Sequence, residues 1–149
     1  MGVKKIIIYT DGGSRGNPGS ASGGIVFCNE KGEMLKEYAE YFGDNLTNNE
    51  AEYEAVIFAL KKFKSLFGKK LAQSTEIELR SDSELLVKQL RGEYKVLEPD
   101  IQQLFLQAWN LRIDFKKINF KLVSRNKNTR ADRLANEAMD SQRINRQLI

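Results

Sequence analysis

Histidine is absent from this 149-residue chain, and cysteine occurs once. Without histidine there is no Ser-His-Asp triad, no Cys-His pair and no His-ligated zinc site. The single Cys28 excludes an intrachain disulfide and suits a reducing compartment, so a cytoplasmic location is expected. Long hydrophobic runs are missing too. The longest aliphatic run is Ile6-Ile7-Ile8, far short of the roughly 20 residues that cross a bilayer, so no membrane association is expected. Lys4 and Lys5 precede no secretory hydrophobic stretch, and Ile6 stands where an acylation signal starting at Met1-Gly2 needs Ser or Thr. Any catalysis must therefore use carboxylates, lysine, tyrosine, backbone groups or a metal held by oxygen.

Apolar residues make up 41% of the chain and charged residues 30%, which fits a globular protein and excludes disorder, collagen and coiled coil. The length fits one domain over residues 1–149, with a polar tail over about 141–149 expected to be mobile. Met1 lies close to the first strand and the end of the chain is polar, as expected of a complete protein. The net charge of +4 is unevenly spread. Residues 112–146 carry ten basic side chains against four acidic ones, an excess of six. Such a stretch points to a polyanion partner or, more plainly, to a solvated surface.

Residues 5–10 read as a buried strand that stops at Asp11, and residues 12–19 as a tight glycine-rich loop. A second strand is expected over 24–28, a hairpin turn over 29–33 and a third strand over 34–42. A polar entry over 44–49 leads into a long helix to about Phe67. Alternation over 75–80 gives a fourth strand, followed by a short helix over 83–91 closed by Gly92. Pro99 opens a helix to about Ile113. A fifth strand covers 118–123, and a last helix begins near Thr129. The order βββαβααβα predicts an α/β fold with a five-stranded mixed sheet flanked by helices.

Four carboxylates stand at unusual places in this plan. Asp11 ends the first strand and Asp82 follows the fourth, where ligand sites of open α/β sheets tend to lie. Glu52 falls in line with Val56, Ala59, Leu60 and Phe63, the core-facing stripe of the long helix. Asp132 sits in the first turn of the last helix. Each has a plain structural reading. Thr47 with Glu50 fits a capping box, Asp82 a helix-start acid, 129–132 a second capping pattern, and Asp11 a turn. Together, clustered carboxylates repel unless a cation neutralises them, and oxygen ligands alone suit Mg²⁺ or Mn²⁺. Trp109, on the helix with Ile101, Leu104, Phe105 and Ala108, reads as core rather than as a base-stacking platform.

The blocks around these acids resemble type 1 ribonuclease H. They are Tyr9-Thr10-Asp11-Gly12-Gly13-Ser14-Arg15-Gly16-Asn17-Pro18-Gly19, Thr47-Asn48-Asn49-Glu50-Ala51-Glu52-Tyr53, Ser81-Asp82-Ser83, and Asn128-Thr129-Arg130-Ala131-Asp132-Arg133-Leu134-Ala135. They follow the family's order across nearly the whole chain. The resemblance implies the ribonuclease H-like fold and endonucleolytic hydrolysis of the RNA strand of RNA/DNA hybrids, leaving 5′-phosphate and 3′-hydroxyl ends. It implies that Asp11, Glu52, Asp82 and Asp132 are the catalytic, metal-binding acids. They would hold two Mg²⁺ ions, with Mn²⁺ as a substitute, and Asp11 would bridge the pair. It further implies substrate contacts from Gly12, Gly13, Ser14, Asn17, Thr47, Asn48, Asn49 and Ser83. Asn17, Asn48 and Asn49 match minor-groove contacts, Thr47 matches a DNA-phosphate contact, and the two glycines lie where the family approaches the RNA sugars. A monomer without an obligate protein partner is expected.

Two departures stand out. The loop before the last acid lacks the histidine that well-studied bacterial members carry, leaving Arg125, Lys127 and Asn128 as candidates for phosphate contact or metal release. The basic, tryptophan-bearing helix that many members insert after the third block is also missing. Lys88, Arg91 and Lys95, spaced three and four apart, are the candidates to replace its grip on the hybrid. The alternatives are a catalytically silent hybrid-binding module, another nuclease of the same superfold, and a domain cut from a longer reverse transcriptase.

Overall fold

The computed structural model describes residues 4–148. Its centre is β1 (Lys4–Gly16), whose Ile7 and Ile8 are buried on opposite faces. β2 (Gly19–Cys28) pairs antiparallel with β1, and β3 (Met34–Leu46) pairs antiparallel with β2. On the other side β4 (Thr75–Ser81) runs parallel to β1, and β5 (Lys117–Leu122) runs parallel to β4. The sheet order is β3-β2-β1-β4-β5, the mixed five-stranded arrangement expected.

Helices cover both faces. α1 (Asn48–Phe67), α3 (Glu84–Leu90) and α4 (Pro99–Leu111) bury Tyr53, Leu60, Phe63, Leu86, Leu90 and Ile101 with Ile8, Ile25, Phe27 and Leu79 in the larger core. Fully burying a side chain of this size contributes about 1.5–3 kcal/mol. α5 (Thr129–Leu148) lays Ala131 and Leu134 against Ile7 and Val26 on the opposite face. Gly24 permits this approach, because a Cβ there would lie 1.9 Å from the Ala131 carbonyl oxygen. Among the described residues no helix is long and apolar enough to cross a membrane.

The structure corrects several boundaries. Residues 12–16 are strand rather than loop: Gly12 pairs with Gly23 and Ser14 with Ala21, so only Asn17 and Pro18 turn the chain. Sheet pairing overrides the turn preference of glycine there. β3 continues to Leu46, and a short α2 (Lys69–Gln73) precedes β4. α4 gives way to a 3-10 turn over Arg112–Asp114, and a second such turn covers Arg125–Lys127. The polar tail is part of α5 as far as Leu148, with Arg146 paired to Asp44. Trp109 is not core: it is 36% exposed, stacked on Phe105, with the Arg112 guanidinium 3.8 Å from its ring centre.

Candidate active site

Tyr9 and Arg80 are the last partners of the parallel β1–β4 pair, and Asp11 and Asp82 each stand two residues farther on. α1 brings Glu52 to the same place from one face of the sheet. Its entry is fixed by a capping box, in which the Thr47 hydroxyl accepts from the Glu50 amide (3.1 Å) and the Glu50 carboxylate accepts from the Thr47 amide (3.0 Å). Gly12 then allows α1 to press onto β1, since a Cβ at this position would lie 2.3 Å from the Ala51 carbonyl oxygen. Its amide donates to Glu52 Oε1. The missing side chain of Gly12 thus serves helix packing, and Gly12 also lines the cleft with the acids. From the other face, the first turn of α5 presents Asp132.

Oxygens from Asp11, Glu52 and Asp82 all lie within 4.8 Å of one another. Asp132 joins them at the wall of one open cleft of about 570 Å³. Burial is the main reason that the Asp11 carboxyl is pushed up to about 9. The nearby Glu52 and Asp82 charges and the Asp132 carboxyl raise it further. Burial likewise pushes Glu52 up to about 7, moderated by the Gly12 amide and raised again by Asp82. Ser81 also donates to Glu52 Oε2, at 3.4 Å. Carboxylates that resist ionising together, with only oxygen donors around them, fit a hard divalent cation. Asp11, Glu52 and Asp82 form the nucleus of such a site, and Asp132 stands beside it.

The remaining candidates divide. Gly13, Ser14, Asn48 and Ser83 line the cleft with the acids. Asn48 Oδ1 accepts from the Ser14 amide at 2.8 Å, and Asn17 Oδ1 accepts from the Asn48 amide at 3.0 Å, so the β1–β2 hairpin and the start of α1 form one polar ledge. The Asn49 side-chain oxygen is buried without a partner. Thr47 and Ser83 are also helix caps, Ser83 accepting from the Leu86 amide at 3.3 Å.

Arg125 reaches the site, its Nε 4.0 Å from Asp82, while its side chain stays 90% exposed. Lys127 does not: it lines a separate depression with Tyr9 and Cys28. Asn128 is buried and donates to the Thr10 carbonyl at 2.9 Å, which locks the last helix to β1. α5 begins at Thr129 and the Asp132 amide bonds the Asn128 carbonyl, so Asn128 rather than Thr129 takes the cap position. Lys88, Arg91 and Lys95 share no helical face, because α3 ends at Leu90 and Gly92 (φ +78°) turns the chain. Lys88 faces Glu84 and the Tyr94 ring, and Arg91 pairs with Glu93.

Ser81, Asn136 and Arg15 also belong to the site, beyond the residues that the sequence motifs single out. Asn136 lies one helical turn from Asp132 on the same face and was readable from that spacing. Arg15 pairs with Asp140 at 2.7 Å, a contact between distant elements that spacing cannot show.

The family model described as reverse transcriptase-like matches residues 9–138. The chain is 42% identical to the bifunctional protein Rv2228c of Mycobacterium tuberculosis over 92% of its own length and 36% of that protein's. It is 40% identical to ribonuclease HI of Halobacterium salinarum over 91% of its own length and 65% of the relative's. The chain thus spans about a third of the mycobacterial relative and under two thirds of the halobacterial one. Among solved structures, LC11-RNase H1 in complex with an RNA/DNA hybrid superposes with a TM-score of 0.86 at 47% identity, over 92% of this chain and 98% of that one. The sheet order and the carboxylate cleft at its strand ends thus define a protein of the ribonuclease H-like class. Within that class, the chain belongs to the type 1 ribonuclease H family.

Proposed function

We propose that the chain hydrolyses the RNA strand of RNA/DNA hybrids endonucleolytically and leaves 5′-phosphate and 3′-hydroxyl ends. One observation carries this reading: Asp11, Glu52 and Asp82 converge to within 4.8 Å in a cleft that Asp132 also lines, in a fold shared with an RNase H1 that was solved bound to a hybrid.

Asp11, Glu52, Asp82 and Asp132 would hold two divalent ions, Mg²⁺ for preference. Bound there, such ions supply Lewis acidity to the attacking water and to the leaving 3′-oxygen. The protein's own groups do the rest. Asp11 and Glu52 must give up their protons to bind cations, and the Gly12 amide and Ser81 hydroxyl hold Glu52 in place for this. The ledge of Ser14, Asn17 and Asn48 offers amide and hydroxyl groups to a minor groove, where the 2′-hydroxyl separates RNA from DNA. The Thr47 hydroxyl keeps its proton free for a phosphate, since its cap bond uses only the oxygen. Arg125, exposed beside Asp82, would meet the phosphate of the cut strand.

The experiment is cleavage of a hybrid with labelled RNA in Mg²⁺, with the product ends analysed. Water attack predicts 5′-phosphate and 3′-hydroxyl ends. Products ending in 2′,3′-cyclic phosphate would show attack by the RNA's own hydroxyl and overturn the reading.

A further inference from the structure

A second concavity, of about 430 Å³, opens where the C-terminal ends of α3 and α4 meet the edge strand β5. Three cations line it: Arg91 just past α3, Arg112 just past α4, and Lys121 on β5. Trp109 and Asn119 contribute the wall between them, and no carboxylate lines it. Arg112 is the fixed point. Its guanidinium lies 3.8 Å from the Trp109 ring centre, and Trp109 stacks on Phe105 with centroids 5.6 Å apart. Its Nε is buried with no hydrogen-bond acceptor. Among the described residues neither Arg112 nor Lys121 has a carboxylate partner, while Arg91 pairs with Glu93 at 2.7 Å. Trp109, half engaged by Phe105 and Arg112, thus supports a cation rather than a stacked base.

We propose that this concavity binds successive backbone phosphates of the nucleic-acid duplex held in the carboxylate cleft, one to each cation. The proposal rests on the hybrid reading above. α3 starts beside Asp82 and ends at Leu90, seven helical residues or about 10 Å later. Lys121 is the register partner of Arg80, two residues before Asp82, so the β5 cation stands one strand away from the chain that carries the cleft acid. On this proposal a duplex lying in the cleft extends over the concavity. Arg112 and Lys121 belong to the basic stretch over 112–146, which the carboxylate site uses only through Arg125. An arginine held against an aromatic ring has little freedom left to lose on meeting a phosphate.

The test is binding of a fluorescent 20-mer RNA/DNA hybrid in EDTA between 50 and 200 mM salt. The Arg91→Gln/Arg112→Gln/Lys121→Gln variant is expected to bind with a log–log salt slope shallower by about 2–3, the loss of three phosphate contacts. Arg112→Gln alone should lower the slope by about 1, and Arg112→Lys should restore most of it. The Lys69→Gln/Lys70→Gln variant, on exposed α2, removes charge away from this concavity and should leave the slope as it is. A slope unchanged in the triple variant, or lowered equally by the α2 control, overturns the proposal. Cleavage by the wild-type protein in Mg²⁺ is scored separately. Binding with the expected slope change but no cutting would keep this contact and remove the nuclease reading.

Discussion

Asp11 is where burial and charge conflict most. Folding raises its pKa from 3.8 to about 9 and that of Glu52 from 4.5 to about 7. The folded state therefore binds more protons than the unfolded state across this window, and metal-free stability falls as pH rises from about 4 towards 9. Divalent cations should reverse that fall. Thermal melts at several pH values, with and without Mg²⁺, check both statements. Asp11→Asn removes the most strained carboxylate, so it should flatten the pH dependence and raise the metal-free Tm by roughly 2–4 °C, the equivalent of about 1 kcal/mol. The same variant should lose more than about 10³-fold in cleavage, on the scale of removing a principal transition-state stabiliser. Arg125→Ala, which deletes the cation beside Asp82, is expected to reduce kcat/KM about 10- to 100-fold, as for one charged hydrogen bond. Steady-state cleavage kinetics measure it.

At the scale of elements, two glycines decide how closely helices approach the central strands. Gly12→Ala drives a methyl into the Ala51 carbonyl, and Gly24→Ala drives one into the Ala131 carbonyl. Each should cost about 1–3 kcal/mol, read as an earlier denaturant midpoint. Because Gly12 also fixes the start of α1, its variant should lose metal affinity through displacement of Glu52. The element plan was largely legible, because Ile77 and Leu79 alternate in β4 and the stripe from Glu52 to Phe63 repeats at helical spacing. Glycines 12, 13 and 16 misled, since their composition reads as a loop while the pairing that makes them strand lies in residues 19–24. Asp11, Glu52, Asp82 and Asp132 could be singled out by position and by resemblance. Their convergence could not, because it depends on β1, β4, α1 and α5 meeting in space. Lys127 and the set Lys88, Arg91 and Lys95 show the converse: close spacing in sequence, yet the chain turns them to different surfaces.

For the whole molecule, an acidic cleft is set in a chain of net charge +4. Affinity for a polyanion must then come from cations around the cleft, and it should be strongly salt-dependent. Cleavage at subsaturating hybrid should fall steeply between 50 and 200 mM salt, by a factor that grows with the number of phosphates contacted. A rate that barely changed over that range would show that phosphate contacts do not hold the hybrid. Hybrid specificity and metal dependence are read together from four labelled 20-mer duplexes: RNA/DNA, RNA/RNA, DNA/DNA, and DNA with one embedded ribonucleotide. Each is incubated with Mg²⁺, Mn²⁺ or EDTA, beside Asp11→Asn. Only the RNA strand of the hybrid should be cut, and EDTA or the substitution should abolish the cutting. Cutting of DNA/DNA, or tight hybrid binding with no cleavage in either ion, would overturn the proposed activity.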